Sequence, residues 1–566
     1  MNTLPQNKAM PEKPPSVPGS QDPHHPYAGR WVARVGQRVV GQGGTPLQAL
    51  QAAQAARFKE KPQVSYVPTS NQLIFSPLLE QVQAALPAKA SVYLVGGAVR
   101  DALLQRASHD LDFTLPKEAL KIARRVANKL GGAYYRMDDE HQTGRVVLTQ
   151  EDGLRQVLDF AAMRGPDLES DLRGRDFTIN AIAVDIRQPQ TILDPLGGMA
   201  DLLAKRVRAC SPTAFQDDPV RILRAVRFAA AYRMQIVPET RQSMRQNVTG
   251  IENTSPERRR DELFRMLANP QPAASLRALE MLGVLPFVLP ELAALKGVTQ
   301  SPPHVSDVWE HTLHTVQHLE SLLAALDEHY DQKTANQLVM GLVVLRLGRY
   351  RQQISAHLSS CLTRERGLRP LLFLAALYHD VAKPPTRSVD EDGRIRFLDH
   401  ENRGAKTAAA RASALHLSNL ENQHLSTIIR HHMRPLHLAN APMPPSRRAV
   451  YRFFRDTGAA GIDVCLLSLA DLLATYQKTL PQETLAAHLD VLRTLLEAYW
   501  EQAEERLFPP ALLDGKDLIK EFDLKPGPRI GALLEALREA QAAGEVASRG
   551  DALQFAETWL GVNAGE

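Results

Sequence analysis

Three regimes of hydrophobic and polar patterning follow one another along the chain. Between residues 26 and 70, RWVARVGQRVVGQGG alternates like a hairpin, LQALQAAQAARFK repeats at helical spacing, and VSYVP returns to a short β-rich run. Period two, then 3.6, then two again predicts a small ββαβ module. From 71 to 210 the pattern is mixed: SVYLV is a short apolar strand, GGAVRDALLQ a glycine turn opening a helix, LDFTL a strand, and KEALKIARRVANKLGG a helix closed by glycine. Beyond Pro212 nearly everything repeats at helical spacing, beginning with DPVRILRAVRFAAAY and PERRRDELFRMLA. The resulting fold class is α+β, a mixed head followed by a mainly helical neck, body and tail.

Length and composition narrow this picture. At 566 residues the chain exceeds what one core supports, so several domains are expected. The divisions are a disordered Pro-rich tail at 1–25, the module at 26–70, a head at 71–210 and a neck and body at 211–300. A histidine-rich helical region at 301–500 and a final helical segment at 505–566 complete the chain. The 44% hydrophobic and 23% charged fractions are ordinary for water-soluble chains. No apolar run approaches the length of a bilayer span and the start lacks an apolar leader, so no membrane partner and a cytoplasmic location are expected. Cys210, Cys361 and Cys465 are odd in number and without CxxC spacing, which predicts reduced, buried thiols rather than a disulfide framework. The net charge of +4 is compatible with a nucleic-acid partner without requiring one. Oligomeric state is not legible.

Chemistry concentrates in the head. In YLVGGAVRD a strand runs into Gly96 and Gly97, a turn that lets the backbone approach a phosphate. Downstream, HDLDF sets Asp110 and Asp112 on one face of a strand, because alternate residues share a face. Two adjacent carboxylates alone fit an exposed turn; after a strand, Gly-Gly and helix they fit a divalent cation such as magnesium. Two such ions can activate an attacking 3′-hydroxyl and steady the leaving pyrophosphate. Further on, DLRGRDFTINAIAVD and FQDDPVRILRAVRFAA carry Arg175, Asp176 and Asn180, then Asp218, Arg221, Arg224 and Arg227. Asp218 and Arg221, three apart on an expected helix, are neighbours able to read the edge of a base.

LVGGAVRDALL followed by DLDF resembles the signature of the class II tRNA CCA-adding enzymes and bacterial poly(A) polymerases. The resemblance implies a β-polymerase-like head, transfer from CTP and ATP to a tRNA or other RNA 3′ end, and two magnesium ions on Asp110 and Asp112. It implies a third carboxylate at Asp159 in QVLDFAAMR, and nucleotide contacts from Gly96, Gly97, Arg100, Arg175, Asp176, Asn180 and Arg224. Asp218 and Arg221 become the protein template for the base, and Arg224 and Arg227 contact nucleotide and RNA phosphate. Gly174 stands where the family has a first arginine, and Asp217 where it often has glutamate. The tail, with its Gly-Pro turn, resembles family ends that approach RNA.

The region from Pro302 to Leu495 adds VWEHTLHTV, ALYHDVAK, FLDHENRGA, IIRHHM and LLSLADLLAT. Imidazole and carboxylate ligands in that order can bind a second divalent metal and generate hydroxide for phosphoester hydrolysis. Resemblance to HD-domain phosphohydrolases implies ligands His311, His379, Asp380 and Asp471, with His400 and His431 or His432 nearby. The leading expectation is CCA addition to tRNA. Poly(A) polymerase or partial CC- or A-adding activity, an HD phosphohydrolase with a vestigial head, and a non-catalytic RNA scaffold are the alternatives.

Overall fold

The computed structural model describes residues 30–35, 38–43, 46–55, 62–67, 73, 75–106, 108, 110–138, 142–149, 155–189, 192–327, 338–363, 366–441 and 444–562. The expected tail at 1–25 lies outside the described residues. The chain divides into two compact units, residues 1–221 with 232–243, and residues 222–231 with 244–566.

In the first unit, strands Arg30–Val35, Arg38–Gly43 and Gln63–Val67 form an antiparallel sheet with the first strand in the middle. Helix Pro46–Ala55 seals it through small residues, Ala49 and Ala53 packing on Ala33. A separate seven-stranded mixed sheet builds the head, in the order Ile192–Leu193, Ala183–Asp185, Tyr93–Val95, Asp110–Leu115, Arg155–Ala162, Thr143–Thr149, Ala133–Asp138. Only Asp110–Leu115 and Arg155–Ala162 run parallel; the other neighbours are antiparallel. Alternation decides what each face carries. Leu111, Phe113 and Leu115 enter the core with Leu158 and Phe160, the Phe113 and Phe160 rings stacking at 4.7 Å. Helix Ala119–Leu130 covers that face with Ile122, Ala123 and Val126, and ends at Gly131 in the left-handed region, φ 72°. The opposite face keeps Asp110, Asp112 and Asp159.

Among the described residues, the second unit is helical apart from short strand pairs at Cys361–Thr363 with Arg366–Gly367 and at Arg387–Val389 with Ile395–Phe397. Two helices, Leu368–Tyr378 and Ala460–Tyr476, are apolar nearly all round and are buried accordingly. Ala460–Thr479 is long and apolar enough to cross a membrane, against the expectation of no such run, and 78% of its apolar window is buried inside the protein. Ser255 caps helix Pro256–Ala268 by accepting from the Arg258 N–H, with proline at the first turn as its sequence suggests. The last three helices, Gly515–Phe522, Pro528–Ala543 and Arg549–Val562, share a core of Leu518, Leu533, Leu537 and Ala556. Of the cysteines expected to be buried, Cys465 is and Cys361 is exposed, sitting on a strand edge.

Candidate functional site

The head site is a row across neighbouring strands. Asp112 is the register partner of Asp159 in the parallel pair, and Asp110 lies two residues before Asp112 on the same face. Opposite stands Gly96, at φ 76°. A Cβ there would lie 3.2 Å from Asp112 Oδ2 and 3.5 Å from an Arg175 Nη, so a side chain would crowd both groups. The strand, turn and strand bring Asp110, Asp112, Asp159, Gly96 and Arg175 together. Arg145, which the sequence reading passed over, donates from Nε and Nη2 to the two Asp159 oxygens, each at 2.8 Å. That hydrogen bond, with the nearby Asp159, Asp110 and Asp112 charges, outweighs desolvation and raises the Arg145 pKa.

Several expected nucleotide contacts turn inward. Arg100 is 6% exposed; it donates from Nη1 to Asn180 Oδ1 at 2.6 Å and from Nε and Nη2 to Asp101 at 3.0 Å. It also stacks over the Tyr232 ring at 4.8 Å. Two partners draw it in: Asp101 follows it in sequence, and the Asn180 amide, eighty residues on, is pinned by donating to Asp176 Oδ1 at 3.0 Å. Asp176 also accepts from the Phe177 N–H at 2.7 Å, so Arg100, Asn180 and Asp176 form one buried relay beneath the site. Arg175 is more open, its side chain 26% exposed, and leans on buried Asp171, which also accepts from the Arg164 N–H.

Asp218 corrects the expectation of a shared helix. It lies ahead of helix Arg221–Ala231 in an extended conformation (φ −152°, ψ 94°), its carboxylate accepting from the Val220 N–H. Pro219 is the reason, since a residue before proline is driven out of the α region. Asp218 and Arg221 nevertheless remain neighbours, Oδ2 to Nε 3.8 Å. The other Arg221 nitrogens hold backbone: Nη2 donates to Gly174 O at 2.8 Å, and Nη1 to Arg175 O and Ala214 O at 3.3 Å. In the second unit, Arg224 and Arg227 converge with Arg265 on Glu262, itself 3% exposed, at 3.5, 2.7 and 2.9 Å. Glu262 was not singled out in the sequence because Arg224 and Arg227 lie 35 or more residues away in the chain.

The histidine cluster assembles from five helix positions. His311 comes from Val308–Ala325, His379 and Asp380 follow Leu368–Tyr378, and His400 opens His400–Ala414. His432 follows Asn419–His431, and Asp471 lies in Ala460–Tyr476. His311, His379 and Asp471 form one potential ligand set; Asp380, His400 and His432 form another. His379, His400 and His432 each donate from Nδ1 to the carbonyl three residues earlier, at 2.8, 2.7 and 2.7 Å. This fixes the tautomer and leaves Nε2 for the centre, where Nε2 of His400 and of His432 are buried without a hydrogen bond. That donor set fits a divalent metal. His432, not His431, joins the cluster. Burial, then the His379 and His400 charges, pushes His432 down to about 3. Burial would also depress His379, but Asp380 and Asp471 overcome it and hold it up at about 10. Lys383, one turn beyond Asp380, places Nζ 2.7 Å from Asp380 Oδ2 and donates to Gln300 Oε1 at 2.7 Å.

A mixed sheet carrying carboxylates on adjacent strands before a glycine turn, continued by a helical body with a histidine–aspartate cluster, defines a nucleotidyltransferase head joined to an HD domain. Family models match as "Poly A polymerase head domain" at residues 92–208, "Probable RNA and SrmB- binding site of polymerase A" at 233–296 and "HD domain" at 308–476. The chain belongs to the tRNA nucleotidyltransferase and poly(A) polymerase family and is an RNA 3′-end nucleotidyltransferase. It is 32% identical to the A-adding tRNA nucleotidyltransferase of Deinococcus radiodurans over 472 residues, 82% of this chain and 95% of that one. It is 31% identical to the CC-adding tRNA nucleotidyltransferase of Thermus thermophilus over 477 residues, 82% and 93% of the two chains. A solved structure of a CCA-adding enzyme in an apo form shares the fold, with a TM-score of 0.53 at 20% identity over 85% of this chain and 94% of that one.

Proposed function

We propose that the chain adds CCA to the 3′ end of tRNA from CTP and ATP. The observation that carries this reading is the row of Asp110, Asp112 and Asp159 on adjacent strands facing Gly96. An all-oxygen donor set fits magnesium, and Asp110 and Asp112 are the residues that would hold it. Bound there, such ions supply the charge that activates the RNA 3′-hydroxyl and steadies pyrophosphate. The chain's own groups do the rest by positioning. Gly96 and Gly97 let the triphosphate approach the backbone, Arg175 reaches the same opening, and the Arg100, Asn180 and Asp176 relay keeps the turn rigid beneath it. Asp218 offers an acceptor and Arg221 Nε a donor to the edge of the incoming base, while the Arg221 Nη groups lock its orientation against Gly174 and Arg175. Arg224 and Arg227, preset by Glu262, contact nucleotide and RNA phosphate.

The test uses tRNA transcripts ending before CCA, after C and after CC, with CTP and ATP given separately and together, and sequencing of the 3′ ends. Addition that halts at CCA is expected; a long A tail would make the chain a poly(A) polymerase. A second reading, addition of CC or of the last A alone, is favoured by the names of the two relatives matched over more than nine-tenths of their length. A halt at CC, or addition confined to the CC-ending transcript, would establish it.

The HD cluster supports a separate phosphoester hydrolysis. His311, His379 and Asp471, with Asp380, His400 and His432, would hold divalent metal, and Lys383 would face the anionic substrate. Metal analysis of the purified chain and of a His379→Ala, Asp380→Ala variant tests it, alongside phosphate release.

A further inference from the structure

Arg145 and Asp159 face each other across the antiparallel pair Thr143–Thr149 and Arg155–Ala162, and Asp159 is the register partner of Asp112 on its other side. One row across three strands therefore reads Asp112, Asp159, Arg145, with Asp110 one pleat away on the same face. The guanidinium closes a two-toothed clamp, Nε to Oδ1 and Nη2 to Oδ2, both 2.8 Å. Both oxygens of the third carboxylate are thus engaged in the fork geometry that matches arginine to carboxylate. Stability does not account for it. The Arg145 side chain is 39% exposed and Asp159 24%, a setting in which ion pairs contribute little, and backbone register already joins the strands from Gly144 to Thr149.

The electrostatic consequence is larger. Three carboxylates share this face, and Arg145 places a fixed positive charge where a cation would otherwise draw on Asp159. An incoming ion must displace the guanidinium from at least one oxygen, or accept the remaining lone pairs while facing a like charge.

We propose that Arg145 is a positioning residue that acts through Asp159. It serves as an internal counter-ion that withholds the third carboxylate from a cation, leaving Asp110 and Asp112 as the ligands of the nucleotide-free protein. The proposal rests on the reading of these carboxylates as a cation site. Its consequence is timing: cation affinity before nucleotide binding stays low, and the ion is recruited together with the negative charge of the triphosphate.

The experiment is a titration of the full chain with Mn2+ alone, without nucleotide or RNA, following free ion by electron paramagnetic resonance. The head contribution is the part of the isotherm lost in Asp110→Asn, which separates it from ions bound at the histidine cluster. Arg145→Met should tighten that part roughly three- to tenfold, the scale of removing one like charge a few ångströms away in a partly aqueous setting. Arg145→Lys, which keeps the charge without the fork, should fall between, and Arg145→Met with Asp159→Asn should lose the gain. Thermal melting confirms that each variant is folded, and the lysine variant keeps the test open if the methionine variant is not. Unchanged affinity in both single variants would reduce the clamp to a tie between strands and overturn the proposal alone. Weaker binding would overturn it too, showing that Arg145 presents Asp159 to the ion. Absence of any Asp110-dependent binding in wild type and variants alike would overturn the cation site itself.

Discussion

The head carboxylates and the histidine cluster both place acids close together, yet their construction differs in every physical respect. The head row is partly open to solvent, built from adjacent strands, oxygen-only, and balanced by an arginine. The cluster is almost wholly buried, drawn from helix positions that span residues 311 to 471, rich in imidazole, and fixed by carbonyl contacts at helix ends. Pre-oriented nitrogens in a dry interior suit a resident ion held between turnovers, whereas exposed oxygens suit a hard ion that comes and goes with substrate. A short stretch of sheet can make the second kind of site; the first needs the whole bundle.

The largest effect should separate the two sites. Asp110→Ala is expected to lower nucleotide addition by about 10²- to 10³-fold, the scale of deleting a principal electrostatic contact to a transition state. Gel analysis of tRNA 3′ ends reads this, with filter binding to show that RNA is still held. His379→Ala with Asp380→Ala should instead strip tightly bound metal, read by elemental analysis, and leave addition within about threefold of wild type on that separation of roles. Loss of addition in both variants would break the comparison.

Glu262 sharpens it as a buried acid whose partners are arginines rather than a cation. Its removal leaves Arg224, Arg227 and Arg265 facing one another. Breaking a buried ion pair costs about 3–5 kcal/mol; Arg265 and Arg224 keep solvent, so about 2–3 kcal/mol is expected for Glu262→Ala. Chemical denaturation checks this, and Glu262→Gln, which keeps acceptors without the charge, should recover part of the loss.

The head was the more legible region because its logic is local. Alternation in DLDFTL alone places Asp110 and Asp112 away from Leu111 and Phe113, and Asp159 needed only one neighbouring strand. Arg145 escaped notice because its partner is set by strand register, which TGRVV does not encode. Arg100 turned inward on account of Asn180, eighty residues away. The extended Asp218, by contrast, was signalled by Pro219 and could have been read. In the helical body, the order of His311, His379, Asp380 and Asp471 was visible, whereas Lys383, three residues beyond Asp380, was passed over. Which of His431 and His432 joins them depends on where a helix ends, a property known only from the fold.

The smallest effect concerns an acid two turns from Asp471 on the same helix. Asp463 is fully buried, and its Oδ2 accepts from His357 Nε2 at 2.7 Å and His424 Nε2 at 2.9 Å. Here imidazoles hold the carboxylate by hydrogen bonds, where around Asp471 imidazoles and carboxylates converge as a candidate metal-binding set. Burial alone would raise the Asp463 pKa; the His357 charge, then the hydrogen bonds from His357 and His424, reverse this and bring it down to about 2. A folded-state value below the unfolded one means stability present above about pH 4 and lost as the pH falls towards 2. Asp463→Asn should therefore melt lower than wild type at pH 5, by the equivalent of about 2 kcal/mol, and the gap should close as the pH falls from about 4 to 2. A gap that stays constant over that range would show that Asp463 contributes shape rather than charge.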